Sequence, residues 1–174
     1  MRPIALMIGN LCSLLAMITD SMSSTRKTAR DVLVMQNASQ VFYGVGAAVL
    51  GGYSGTVQNV MSVIRNFVAI KKVNSKWLEW LILIGGVVLG IVFNTIGFWG
   101  WLPIIANAEY TLAVFYFKDN ERALKIAFML AVAMFAVFNG AILSIVGVIT
   151  NAVVLVVGVY SLIKDAKQRK KEQT

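Results

Sequence analysis

Asn59 and Asn151 stand 92 residues apart, each inside a long apolar run. The same offset aligns Tyr43 with Phe135, Gly55 with Gly147, Arg30 with Arg122 and Lys72 with Lys164. A carboxamide supplies donors and an acceptor, so a matched pair suits the hydroxyls or amide of a small polar solute. Polar side chains are costly in hydrocarbon and tend to face a partner or a cavity. The plainer use of such residues is to bond a neighbouring helix as packing. Counted at about 1.5 Å per residue from their helix ends, both asparagines lie at one depth, near the middle of a bilayer.

Arg65 and Glu109 are the charges set well within apolar segments. Their similar depth predicts an ion pair, because a lone buried charge is costly. With Gln40 and Gln58 beside it, such a pair suits an inner gate that breaks when helices rock apart. Proton coupling through Glu109 is the other use of that carboxyl. Other chemistry is scarce. With no His, one Cys and eight Asp and Glu, the chain cannot assemble a Ser-His-Asp triad, a Cys/His metal cluster, a CxxC redox pair or a disulfide framework. It also lacks the GxxxxGK(S/T) nucleotide motif of a pump. No metal, no cofactor and no enzymatic role are expected, and Cys12 reads as a small core residue.

These residues are carried by a chain of 174 residues that is 58% hydrophobic and only 14% charged, with a mean hydropathy of +0.74. That composition predicts an integral membrane protein. Charge-free stretches cover 32–64, 80–108 and 126–163, each long enough for a helical hairpin at about 20 residues per span. Turn chemistry breaks them at Gly51-Gly52-Tyr53-Ser54-Gly55, at Asn94-Thr95-Ile96-Gly97 and at Asn139-Gly140. With an apolar run from Pro3 to Thr19, the expected helices cover 3–20, 31–50, 54–72, 76–94, 98–117, 122–139 and 142–163. A cleaved signal peptide is the other reading of the first run, against which Arg2 is a thin n-region and no Ala-x-Ala site follows.

Seven helices put 14 of the 16 basic residues on one side. Arg26, Lys27 and Arg30 follow helix 1, Lys71, Lys72 and Lys76 follow helix 3, Lys118, Arg122 and Lys125 flank the 5–6 turn, and five lie beyond residue 163. By the positive-inside rule the N-terminus is then outside and the C-terminus cytoplasmic. The net charge of +8 reports this topology rather than a nucleic-acid groove, since the cations punctuate apolar runs. Trp77, Trp80, Trp99 and Trp101 sit at helix ends as interfacial anchors.

The offset of 92 maps helices 1–3 onto helices 5–7 with the same orientation. The expected fold is all-α: two parallel three-helix bundles, 1–75 and 96–164, joined by a linker helix at 76–95 and followed by a basic tail, 165–174, that suits contact with anionic lipid. Helix 4 fits a lipid-facing linker, with no polar side chain from Leu81 to Phe93 and only Gly86-Val-Val-Leu-Gly90 to offer a neighbour. This 3+1+3 plan, with a matched Asn on the third helix of each bundle, resembles the SWEET, PQ-loop and PnuC transporters. The strings GGYSGTVQNVMSVIRN, WGWLPIIANAEYTLAVFYFKD and FNGAILSIVGVITN resemble the bacterial inner-membrane YgjV family over most of the chain.

The SWEET resemblance implies passage of a small polar solute by alternating access, with an aromatic on the middle helix of each bundle walling the solute. Tyr43 and Phe135 hold that spacing, and aromatic faces suit sugars or heterocycles. Two aromatics also fill a helical core equally well. The chain departs from the pattern in having no Pro-Gln dipeptide and no paired prolines, since Pro3 and Pro103 are not equivalent under the offset. The expected function is facilitative transport of a small, neutral polar metabolite, such as a sugar, nucleoside or vitamin, across the bacterial inner membrane. The alternative is a receptor or assembly subunit on the same fold. A midplane cavity lined by Asn59 and Asn151 separates them, because a scaffold has no reason to keep one.

Overall fold

Every element of the computed structural model is helical among the described residues, which are 3–23, 29–71, 73, 75–117 and 121–172, with side chains near several helix ends excepted. The order is α1 (Pro3–Ser23), α2 (Ala29–Val49), α3 (Tyr53–Ile70), α4 (Lys76–Val92), a 3-10 turn (Gly97–Gly100), α5 (Trp101–Tyr116), α6 (Glu121–Ala141) and α7 (Ile145–Glu172). α7 continues through residues 165–172, so this part of the expected tail extends the helix. Arg26, Lys27, Lys72 and Lys118 lie outside the described residues, as do the side chains of Arg30, Arg122, Lys125 and the basic residues of the tail.

Two turns close by one hydrogen-bond pattern. After α2, Gly51 sits at φ 80°, its N–H donates to Ala48 O, and the Gly52 N–H donates to Ala47 O at 2.8 Å. This is the paired bonding that satisfies the last carbonyls of a helix. After α6, Leu143 takes the same place at φ 60°, with Leu143 N–H to Gly140 O and Ser144 N–H to Asn139 O at 2.8 Å. All these donors and acceptors are 92 residues apart. The third break was expected at Asn139-Gly140, but α6 runs on to Ala141. Those two residues provide the carbonyls that close the helix, so the chain turns only after them. At the second break Asn94 forms its own turn, accepting from Ile96 N–H and donating to Gly97 O.

α1 packs on α2 and α2 on α3, while α5 packs on α6 and α6 on α7; α3 also meets α5 and α1 meets α7, which closes the six helices into a ring. α4 lies against α3 and α5. Its seat is the buried Gly86–Gly90 side: Gln58 Nε2 donates to Gly86 O at 2.8 Å, and a Cβ at Gly90 would overlap Gln58 and Ile104. Near the 51 and 143 turns the interior is filled by Ala47, Leu50, Phe138 and Ile142. Phe138 lies over Gly52 and Gly55, where any Cβ would collide with its ring.

No helix, over the described residues, is long and apolar enough to cross a membrane. α4 and α5 have 17 and 16 residues, short of the roughly 20 a span needs. α3 carries Gln58, Asn59, Ser62, Arg65 and Asn66 within its 18 residues. The seven spans expected from the sequence therefore appear as seven α-helices, none of which combines the length and the hydropathy of a span over its described residues. Their outward faces are nonetheless apolar, including Ile84, Val88, Val156 and Val157, all more than half exposed.

Candidate functional site

The ring encloses a cavity of about 130 Å³ to which all six of its helices contribute. Asn59, Asn151, Tyr43 and Phe135, the four residues singled out from the sequence, all line it, together with Gln40 and Arg65. α2 brings Tyr43 in beside Gly44, whose missing side chain lets α2 approach Asn59 on α3. Thr56 Oγ1 donates to Gly44 O at 3.2 Å and holds that crossing. Phe135 meets Phe138 edge to face at 6.4 Å, which ties the cavity wall to the apolar plug at the turn end.

The two matched amides are used differently. Asn59 is buried and donates from Nδ2 to Gly55 O, one turn back, at 2.8 Å. Asn151 has a buried Nδ2 with no partner. A buried donor left unpaired is costly, and Asn151 presents this one at the cavity wall.

The seam between α3 and α5 is polar. Asn107 Nδ2 donates to Gln58 Oε1 at 2.8 Å, and Asn107 Oδ1 accepts from Ser62 Oγ and from Arg65 Nη1, both at 3.1 Å. Arg65 Nη1 also donates to Thr111 Oγ1 at 3.1 Å. The guanidinium carbon lies 5.0 Å from the Tyr110 ring centroid, a distance at which a cation is attracted to the ring face. With the bond from Gln58 to Gly86 O, one network links α4, α3 and α5.

The structure does not bring Arg65 and Glu109 together, contrary to the ion pair expected from the sequence. Glu109 lines a groove of about 890 Å³ on the α5–α6 side, with Val87 of α4, and its Oε2 has no partner. Helix geometry gives the reason. Asn107 and Thr111, four apart, share the face turned to α3, while Glu109 lies two residues from each and so roughly 200° around the helix. Matching depth placed the charges at one level without fixing their faces.

Sequence reasoning missed Asn107, Ser62 and Thr111. Their signal was present as two polar stripes at helical spacing, Gln58-Ser62-Arg65 on α3 and Asn107-Thr111 on α5. It also missed the seam between α1 and α7, where Asn10 Oδ1 accepts from Val146 N–H at 3.0 Å and Nδ2 donates to Leu143 O at 3.3 Å. Asn10 thus caps the free N–H end of α7 from another helix. Ser13 Oγ and Ser144 Oγ share a buried hydrogen bond of 2.8 Å on the same seam.

No curated protein and no solved structure matches the chain. The family model Imp-YgjV, described as a bacterial inner membrane protein, matches residues 7–169, a stretch that runs from the first helix into the last and takes in every residue of the cavity wall. The chain therefore belongs to the Imp-YgjV family of bacterial inner membrane proteins.

Proposed function

We propose that the protein is a membrane-embedded carrier that passes a small polar solute through the six-helix ring by alternating access. The observation that carries this reading is the cavity itself, where Asn59, Asn151, Tyr43 and Phe135 meet at the centre of the ring. Its volume has room for about four waters or one small molecule. The paired turn bonding at an offset of 92 supports a parallel duplication, 1–75 and 96–164, with 76–95 as the inverting linker, in the manner of the SWEET and PQ-loop transporters.

Rigid rocking of one bundle against the other would open the cavity alternately at its two ends. The apolar plug of Leu50, Phe138 and Ile142 closes the end at the turns, and the Arg65–Asn107 network joins α3 to α5 nearer the other end. Membership of an inner-membrane family and the apolar outer faces support lipid around the ring. The short α4 and α5 fit a locally thinned bilayer, with the 3-10 turn leading directly into α5. The basic loops then face the cytoplasm with the C-terminus, and the N-terminus faces outward. The protein binds and moves its solute without a chemical step.

Uptake by proteoliposomes tests the reading, with labelled sugars, nucleosides, vitamins and short organic acids as the panel. Uptake of one class above that of protein-free liposomes is expected, lost in Asn151→Leu, whose side chain fills the cavity. An assembly subunit on the same fold is the second reading, favoured by the open apolar groove around Glu109. No uptake of any solute by folded protein would favour it.

A further inference from the structure

Arg65 reaches the central cavity without a counter-charge. Its side chain is 9% exposed, and its two hydrogen bonds go to the neutral oxygens of Asn107 and Thr111. A guanidinium carries five N–H donors, so these two bonds leave three on a side chain that lines the cavity. Among the described residues that line the cavity there is no carboxylate, and Glu109 faces the outer groove. Asn151 adds a second donor to the same wall, its buried Nδ2 being without a partner.

We propose that the cavity binds a small anion, a short-chain carboxylate or an inorganic oxyanion, held by Arg65 and the Asn151 amide. A buried cation is costly to leave unpaired, and a charge-assisted hydrogen bond is roughly twice as strong as a neutral one. Low local dielectric strengthens it further. The Tyr110 ring takes one face of the guanidinium, while Asn107 and Thr111 fix Nη1, so Arg65 is positioned before a ligand arrives. A cavity of about 130 Å³ admits only a compact anion. Resting on the carrier reading above, this makes the transported solute an anion. It replaces the neutral solute expected from the sequence, where the pocket candidates were amides and aromatics.

The test uses the full-length protein in nanodiscs of neutral lipid, titrated with chloride, acetate and phosphate, and with acetamide as the uncharged counterpart of acetate. Binding is read by calorimetry and by the rise in unfolding temperature. At least one anion should bind and acetamide should not. Arg65→Gln and Asn107→Asp should each weaken anion binding by roughly ten- to hundred-fold. Asn107→Asp is the sharper variant, because it keeps the side-chain shape and sets a carboxylate where Oδ1 already meets Nη1 at 3.1 Å. The cation is then neutralised in place, and if either variant fails to fold the other decides.

Wild-type anion affinity in folded Asn107→Asp or Arg65→Gln protein would overturn the proposal. So would equal binding of acetate and acetamide, or no binding of any of the three anions to the wild type. Anion binding without flux in proteoliposomes would instead sink the carrier and leave the anion site standing. Flux of neutral solutes only would keep the carrier and remove the anion.

Discussion

Leu143 holds a left-handed backbone conformation, φ 60°, in a turn whose counterpart 92 residues earlier is Gly51 at φ 80°. An L-residue with a Cβ is strained there by about 1–2 kcal/mol, and glycine is not. Leu143→Gly should therefore stabilise the protein by about 1 kcal/mol net, since the side chain is half exposed and gives up little packing. Gly51→Ala should lower stability by a similar amount, although a Cβ there would meet nothing within 4 Å. Thermal unfolding in detergent reads both. Gly51 was legible as a turn, whereas Leu143 has no turn signal and Asn139-Gly140 drew the expected break three residues early. The matched asparagines also separate at this scale. Asn59→Leu removes a hydrogen bond to Gly55 O and should cost about 0.5–1.5 kcal/mol. Asn151→Leu removes an unpaired buried donor and should leave the unfolding temperature unchanged or raised, while still blocking solute.

At the scale of elements, the apolar runs and turn residues located seven helices, while the turn at Leu143, 92 residues after the one at Gly51, was not foreseen. What the sequence left open was the rotation of each helix about its axis. Depth along a helix follows from counting residues, but the face presented to a neighbour depends on packing that no single segment encodes. That is why Tyr43, Asn59, Phe135 and Asn151 were found together while Arg65 and Glu109 were wrongly joined. A pair of variants on α5 tests the corrected seam. Asn107→Ala strips partners from Gln58, Ser62 and Arg65 and should destabilise the protein by about 1–3 kcal/mol, because buried polar groups lose their bonds. Glu109→Gln should change stability by less than about 0.5 kcal/mol, since it breaks no bond to Arg65. Equal losses in chemical or thermal unfolding would restore the ion pair and remove the network.

For the whole molecule, six helices meet edge to edge around a polar centre, with α4 on the outside against α3 and α5. A ring of this kind, apolar outward and polar inward, inverts the pattern of a water-soluble bundle, whose apolar stripe faces the core. Composition alone made the outward half of that pattern legible. The polar centre required two helices from each half of the chain to aim their asparagines and aromatics at one point, which only the repeat hinted at. On the carrier reading, this centre is a water-reachable solute site inside a lipid-facing ring. Labelling of single cysteines in membrane vesicles tests it without knowledge of the solute. With Cys12, the chain's one cysteine, replaced by Ser, a cysteine is placed at Asn151 on the cavity wall or at Val153, which is exposed on the outer face of the same helix at nearly the same depth. A membrane-impermeant thiol reagent should modify Asn151→Cys and leave Val153→Cys unmodified. An unreactive Asn151→Cys beside a reactive Val153→Cys would rule out a solute site at the centre, because water would then lie outside the ring and not within it.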